Sequence, residues 1–526
     1  MSVKATNKKS KIELLAPAGG KEAMVAAVSA GADAVYFGGK AYSARMSAHN
    51  FDDSEILHAI DYCKKRGVKA FIAANTLITD RETENYARYI EKVYHSGADA
   101  VIVQDIGMAK IILDELPRFP VHASTQMTVN TLESAQAVAQ IGCKRVVLAR
   151  ELSKDQIENI TRNIDIETEV FVHGALCASI SGQCLMSSMI GGRSANRGRC
   201  AQPCRLRYRD DKENGTLLSL KDIAYLSHLD ELIACGVASL KIEGRMKGAD
   251  YVGTVVDVYR RALDGLGEAR DKDRLRDVFY RGEFTDKYFT GQKNREMYEI
   301  DKPENPYRNR VEIRKFVQKE ETFLNLTREP IAINVDKSRG KNSVKRLELT
   351  ACVSNKEQLG PLRKAGIRVV ENPAKTLGEL KSGAWGEYTL NVFNSLALKQ
   401  VADMGAEVVC LSPELMLAQI RDIRKCVPVE VIAYGRIPLM NIENPPKGML
   451  VDRTGAKFPI IGTQILNSTP IYMADKLKEI KDAGVSYARM YFTTETPKQV
   501  EEIIESYKTG APPPKNFTRG GFYKGV

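Results

Sequence analysis

Several absences narrow this chain before any motif does. No apolar run approaches the ~18 residues that a membrane span requires. The first residues, MSVKATNKKSKIE, are polar and basic and carry no apolar signal-peptide stretch. A cytoplasmic protein without a membrane partner is the expectation, and its ten cysteines are then thiols or ligands rather than disulfides. None of the six histidines opens an H-E-x-x-H helix, and no G-x-S-x-G elbow occurs. The usual marks of a metallopeptidase or a serine hydrolase are therefore missing.

What the chain does have is length and positive charge. Its 526 residues suffice for two or three domains with full cores. A formal charge of +11 favours a polyanionic partner such as RNA. Both features meet in one non-repeating stretch, Glu169 to Arg209, reading EVFVHGALCASISGQCLMSSMIGGRSANRGRCAQPCRLRYR. Cys177, Cys184, Cys200 and Cys204 are separated by six, fifteen and three residues. Three readings stand side by side: free thiols, a structural zinc, or an iron–sulfur cluster. Only Cys200 and Cys204 fit a zinc Cys-x2-4-Cys arm, whereas clusters accept four thiolates on varied loop lengths. Arg193, Arg197, Arg199, Arg205, Arg207 and Arg209 follow one another with no acid before Asp210. They suit phosphate contact, a solvated loop, or balance for the charge of thiolates. The other six cysteines sit mostly beside apolar residues and read as core packing.

The first half repeats one pattern. SAGADAVYFGG, HSGADAVIVQD, QIGCKRVVLAR and ACGVASLKIEG each run from a helix end through a glycine cap into an apolar strand. Eight strands are predicted: Glu13–Ala16, Ala34–Phe37, Lys69–Ala74, Ala100–Val103, Val121–Ala123, Arg145–Leu148, Glu169–Val172 and Ser239–Ile242. Helices between them, such as 21–29, 54–65 and 132–140, give an α/β fold, a TIM-like (β/α)8 barrel over residues 1–267. Such barrels place chemistry at the C-terminal strand ends. Polar residues gather there: Asn75 and Thr76, Gln104 and Asp105, His122 and Gln126, Arg150 and Glu151, and His173. Lys241, Glu243 and Arg245 follow at alternate positions on one face of strand eight. This trio reads equally as catalytic or as an ion-pair ladder inside the barrel. His122, Gln126 and His173 are candidate substrate contacts, with a buried, satisfied histidine as the plain alternative.

Residues 268–345 are charged and aperiodic. They read as a connector with a small β element near Arg310 to Leu326. From 346 to 526 the helix–glycine–strand pattern returns in KAGIRVVENP, DMGAEVVCLSP and DAGVSYARMYF. Strands are predicted at Arg346–Cys352, Tyr388–Val392, Glu407–Leu411 and Glu430–Tyr434, with helices at Lys356–Lys364 and Ser395–Asp403. A second, partial α/β barrel is the expected form.

Glu169-x-Phe171-x-x-Gly174-Ala175-Leu176-Cys177, followed by Ser181-Gly182-x-Cys184-x-Met186-Ser187, resembles the signature of the collagenase-like peptidases, peptidase family U-32. GQCLMSSMIGGRSANRGRCAQPCR and SLKIEGRMK are similar in particular to its ribosomal RNA 5-hydroxycytidine synthase branch, and SPELMLAQI, AYGRIPLM, VDRTGAKFPI and ILNSTPIYM extend the likeness. Two departures stand out. The insert domain common in that branch is much reduced here, and Gly521 occupies a position usually held by histidine. The resemblance implies a 4Fe-4S iron–sulfur protein, dependent on iron–sulfur assembly machinery, with Cys177, Cys184, Cys200 and Cys204 as ligands. It implies oxygen-independent hydroxylation of a pyrimidine in ribosomal or transfer RNA, with prephenate implicated as a co-substrate. In that reading Lys241, Glu243 and Arg245 orient substrate or hydroxyl donor, while Arg193, Arg197 and Arg199 grip phosphates. The family also holds hydroxylases of quinone precursors, and its older label is peptidase.

Overall fold

A computed structural model describes residues 12–46, 48–279, 282–300, 327–335 and 343–525. Strands β1 (Glu13–Pro17), β2 (Ala34–Gly38), β3 (Lys69–Ala74), β4 (Ala100–Val103), β5 (Val121–Ala123), β6 (Arg145–Val147) and β7 (Glu167–Gly174) run parallel and in order. An eighth strand, Ser239–Ile242, sits between β7 and β1, pairing Ser239 with Glu169 on one side and with Glu13 on the other. The barrel is thereby closed with eight strands. Helices α1 (Lys21–Ser29), α2 (Asp53–Lys64), α3 (Thr83–His95), α4 (Ile106–Glu115), α5 (Leu132–Ile141) and α6 (Lys154–Arg162) alternate with its strands.

The local signals behave as the chemistry requires. Asp52 with Glu55, and Ser153 with Gln156, form reciprocal capping boxes that start α2 and α6. The junction glycines Gly31, Gly97, Gly142 and Gly236 all take positive φ, a left-handed turn that costs other residues about 1–2 kcal/mol. Inside the barrel Leu15, Ala34, Tyr36, Phe71, Ala100 and Ile102 form a separate apolar layer. Beneath it Arg145 bridges Glu13 (2.5 Å) and Glu169 (3.0 Å), and Lys241 reaches Glu169 at 2.6 Å.

The C-terminal half is a curled, half-barrel parallel sheet, in the order 368–369, 348–353, 487–492, 429–435, 406–410, 384–386, with 471–472 antiparallel on 429–435. One predicted strand moves. Tyr388–Leu390 is a turn and the strand is Ala384–Gly386. The Glu387 carboxylate, held by Arg489 at 2.5 Å, accepts the Tyr388 N–H, and Asn391 is left-handed, so the backbone bends out of the sheet.

A third, antiparallel sheet joins the halves. Strands 438–441, 464–466, 457–461 and 449–451 continue into 208–209 and 214–215 of the cysteine segment. The segment read as a connector packs on the barrel where it is described. Arg328 N donates to His95 O (2.8 Å), Ile333 N donates to Glu91, and Thr285 N donates to Asp222 O. The β element expected near Arg310 to Leu326 lies outside the described residues.

Candidate functional site

A cavity of about 340 Å³ opens at the C-terminal ends of the barrel strands. Its floor is aromatic, Tyr36 from β2 and Phe171 from β7. One wall is cationic, Arg45, Arg150, Lys241 and Arg245. Another is neutral and polar, Asn75, Ser124 and Gln126. All four cysteines of the Glu169–Arg209 segment line it. That segment leaves β7 and crosses the mouth, anchored from below by Glu151, whose carboxylate accepts from Ser181 N (3.1 Å) and Ser181 Oγ (3.2 Å). Gly198, at φ 76°, brings its backbone so near the loop after β2 that a β-carbon would sit 2.3 Å from Ser43 O.

The charges are arranged around Glu243. Arg150 Nη2 lies 3.1 Å and Arg45 Nη2 3.5 Å from its carboxylate. Burial would raise its pKa, but Arg45, Arg150, Arg245 and Lys241 outweigh burial and hold it at about 2. Lys241 is 4.3 Å above the Tyr36 ring, and burial lowers its pKa against the pull of Glu169. Arg245 donates to Ser43 Oγ at 2.6 Å. Its Nε and that of Arg150 are buried without a protein partner among the described residues. The trio expected on the eighth strand is thus divided, since the strand ends at Ile242 and Glu243 and Arg245 lie in the loop that follows it. Lys241 belongs to the ion-pair ladder that Arg145 and Glu169 continue downward, while Glu243 and Arg245 face the cavity with Lys241 at its base.

The cysteines are free thiols, Cys177 exposed and the other three half-buried. Burial and then the neighbouring thiols raise Cys184 well above its usual range. Burial likewise pushes Cys204 up to about 11 and raises Cys200. Hydrogen-bond donors approach two of the sulfurs: Arg150 Nη1 is 3.7 Å from Cys177 Sγ, and Gln202 N is 3.3 Å from Cys200 Sγ. Among the described residues no three His, Cys, Asp or Glu side chains converge closely enough to hold one metal ion.

The remaining sequence candidates separate. Gln126 lines the cavity. His122 is buried inside the barrel, edge-on to Phe71 at 4.9 Å, and burial followed by Arg145 keeps it neutral. His173 is buried among Tyr251, Tyr259 and Phe284, and its pKa is lowered to about 3 by burial and Lys247. Neither histidine lines the cavity. Arg197 is engaged by Glu82 through two nitrogens, at 2.9 and 2.6 Å, so its guanidinium fastens the cysteine segment to α3's approach. Arg205 serves the same segment, donating to Ser219 Oγ and Leu176 O. Arg193 and Arg199 are exposed at the rim, with Arg193 Nε donating to Arg199 O.

Sequence reasoning missed Arg45, Tyr36 and the contribution of the C-terminal half. Arg45 lies in a loop with no repeating pattern, so nothing in its surroundings marks it. Leu185 N donates to Leu439 O (2.8 Å) and Ile180 N to Asn441 O (2.9 Å), and Met440 joins the cavity wall. At Gly521 a β-carbon would lie 2.6 Å from Pro413 O, so that position has no room for a side chain in this packing.

A closed barrel whose mouth is covered by a four-cysteine segment over a cationic cavity defines the class. The chain belongs to peptidase family U32, whose model matches residues 19–299. It is 42% identical over 269 residues to the 23S rRNA 5-hydroxycytidine C2501 synthase of Escherichia coli K12, covering 49% of this chain and 40% of that one. To the tRNA hydroxylation protein P1 of Bacillus subtilis 168 it is 37% identical over 267 residues, covering 48% and 63%. To a collagenase of Porphyromonas gingivalis W83 it is 34% identical over 310 residues, covering 53% and 74%. The chain therefore spans about half the length of the two hydroxylation relatives.

Proposed function

We propose that this protein hydroxylates a pyrimidine base in RNA without molecular oxygen, giving a 5-hydroxycytidine or 5-hydroxyuridine, with a 4Fe-4S cluster on Cys177, Cys184, Cys200 and Cys204. The observation that carries this reading is the juxtaposition of four thiols with a cationic, aromatic-floored cavity at the barrel mouth. The names of two relatives, a ribosomal RNA hydroxycytidine synthase and a transfer RNA hydroxylation protein, point the same way.

The donor set fits such a cluster. Four cysteines that line one cavity match the four thiolates such a cluster takes, one to each iron. Thiols whose ionisation is opposed by burial and by one another become thiolates when a cation holds them. The donors from Arg150 and Gln202 then lie where they stabilise sulfur charge. When bound, the cluster would supply the redox chemistry that acids, bases and nucleophiles lack. Loading it would require iron–sulfur assembly machinery.

The protein's own residues do the rest. Replacing a ring C–H by C–OH oxidises the ring by two electrons, so a co-substrate must give up oxygen and accept those electrons. A hydroxyl-bearing carboxylate such as prephenate balances the exchange, donor C–OH becoming donor C–H. Arg245 and Arg150, which line the cavity, would bind its carboxylates. A base in structured RNA must be splayed out to enter a barrel mouth. The exposed Arg193 and Arg199 would hold the flanking phosphates.

The peptidase reading rests on the collagenase relative. No histidine lines the cavity, so a cysteine–histidine nucleophile pair is not assembled there. The deciding experiment is nucleoside mass spectrometry on a strain lacking the gene. A hydroxylated pyrimidine should disappear, return with the wild-type gene, and fail to return with Cys200→Ala, whose anaerobically purified protein should lose iron and labile sulfide. An unchanged nucleoside profile with a quinone precursor accumulating would move the acceptor to a small aromatic ring. Gelatin cleavage by metal-free protein would instead establish the peptidase.

A further inference from the structure

The neutral wall of the cavity has a fixed hydrogen-bond polarity. Asn75 is buried, and its Oδ1 accepts from the backbone N–H of Ala44 at 3.1 Å. A backbone N–H can only donate, so the amide oxygen must face Ala44 and the amide nitrogen must face the other way. Asn75 Nδ2 accordingly donates to Gln126 Oε1 (3.2 Å) and to Ser124 Oγ (3.3 Å). This orients Gln126 in turn. Its oxygen is occupied, and its Nε2 has a protein acceptor only at the outer limit of hydrogen bonding, Ala195 O at 3.5 Å. Ser124 Oγ accepts from Asn75 Nδ2 and from Gln126 N (3.3 Å), which fills both lone pairs and leaves its hydrogen to donate. Ser124 and Gln126 both line the cavity. The wall therefore offers two donors, one from Ser124 and one from Gln126. The facing wall carries arginine and lysine donors, and Arg45 and Arg150 both engage Oε2 of Glu243.

We propose that Ser124 and Gln126, oriented by Asn75, read the neighbouring O2 and N3 acceptors of a cytosine, so that the site takes cytidine in preference to uridine. The inference rests on the RNA-hydroxylation reading above and selects between its two pyrimidines. Cytosine presents two adjacent acceptors on that edge. Uracil carries a hydrogen on N3, which would meet a donor and leave both groups unpaired. A good two-point contact of this kind discriminates roughly tenfold to a hundredfold. The grip also has a geometric consequence. C5 lies across the ring from C2, so holding the O2–N3 edge turns the C5–C6 edge away from this wall and into the cavity.

The test exchanges donor for acceptor without changing shape. In Gln126→Glu one carboxylate oxygen still accepts from Asn75, and the other replaces the amide nitrogen that faces the cavity. A strain lacking the gene is given wild-type, Gln126→Glu or Ser124→Ala copies, and 5-hydroxycytidine and 5-hydroxyuridine are quantified in its RNA. Purified variants are checked for unchanged melting temperature and iron content. Wild type should restore 5-hydroxycytidine. Gln126→Glu should lower it at least tenfold while raising the ratio of 5-hydroxyuridine to 5-hydroxycytidine, and Ser124→Ala, which deletes one donor, should lower it less. Restoration of 5-hydroxyuridine alone by wild type, or a folded Gln126→Glu that hydroxylates cytidine as wild type does, overturns the inference while RNA hydroxylation stands. If neither nucleoside depends on the gene, it is the RNA reading that falls, and this inference with it.

Discussion

Each half of the molecule buries an arginine against glutamates, three around Arg145 and two around Arg489, and the two arrangements have opposite surroundings. In the closed barrel Arg145 bridges Glu13 and Glu169, and Glu169 passes the contact to Lys241 at the base of a cavity. In the half-barrel Arg489 lies between Glu387 and Glu430, fully buried, with Thr350 and Trp385 hydrogen-bonded to Glu430. Arg489 does not line the cavity. A buried ion pair is thus not a mark of chemistry. The difference comes from what lies above it: a cysteine segment spans the first mouth and leaves space beneath, whereas Arg489, Glu387 and Glu430 are all buried.

The largest effect should come from opening the sealed network. Arg489→Met leaves two buried carboxylates without a counter-charge and should cost roughly 3–5 kcal/mol, seen as a large fall in melting temperature. Adding Glu387→Gln and Glu430→Gln should restore most of that loss, since the amide oxygens can still accept from Tyr388 N and Trp385 Nε1 while the new amide nitrogen at 430 can donate to Thr350 Oγ. If the single variant melts like wild type, the comparison between the two arginines fails.

A somewhat smaller effect is expected at the cavity. Glu243 titrates near 4.5 when unfolded and at about 2 when folded. Its folded pKa is lowered, so its contribution of about 3 kcal/mol is present above pH 4.5 and lost as pH falls toward 2. Glu243→Gln should therefore destabilise at pH 7 and flatten the acid limb of the stability curve. Identical acid limbs in denaturant titrations of the two proteins would assign that limb to other carboxylates.

The smallest effect distinguishes arginines within one segment. Arg199→Gln should leave melting unchanged and reduce the salt slope of RNA binding by roughly 0.7–0.9, the value of one phosphate contact. Arg197→Gln, which loses Glu82, should lower stability by about 1–3 kcal/mol and leave the slope unaltered. The reverse pattern would exchange their roles.

The barrel was legible because its signals are local. Glycines that must turn left-handed sit between helical and strand periodicities, and eight such units allow few other closures. The cysteines and the alternation of Lys241, Glu243 and Arg245 were legible because each pattern is local in sequence, although only Lys241 lies within the strand. Tyr388–Val392 misled because Tyr, Thr and Val favour strands, while the turn there is set by Glu387, held from a hundred residues away by Arg489.

What the sequence determined by itself, then, is the order of elements, the closing of the first barrel and the identity of the four thiols. Tertiary structure alone decided which polar strand-end residues reach the cavity, because that depends on side-chain direction across several strands. It turned His122 and His173 into buried packing, committed Arg197 to Glu82, and brought Arg45 to Glu243. It also brought the 438–441 strand of the C-terminal half against the loop that carries Cys184. Such long-range pairings leave no periodic trace in the chain, since each is fixed by packing between elements rather than by the residues beside it.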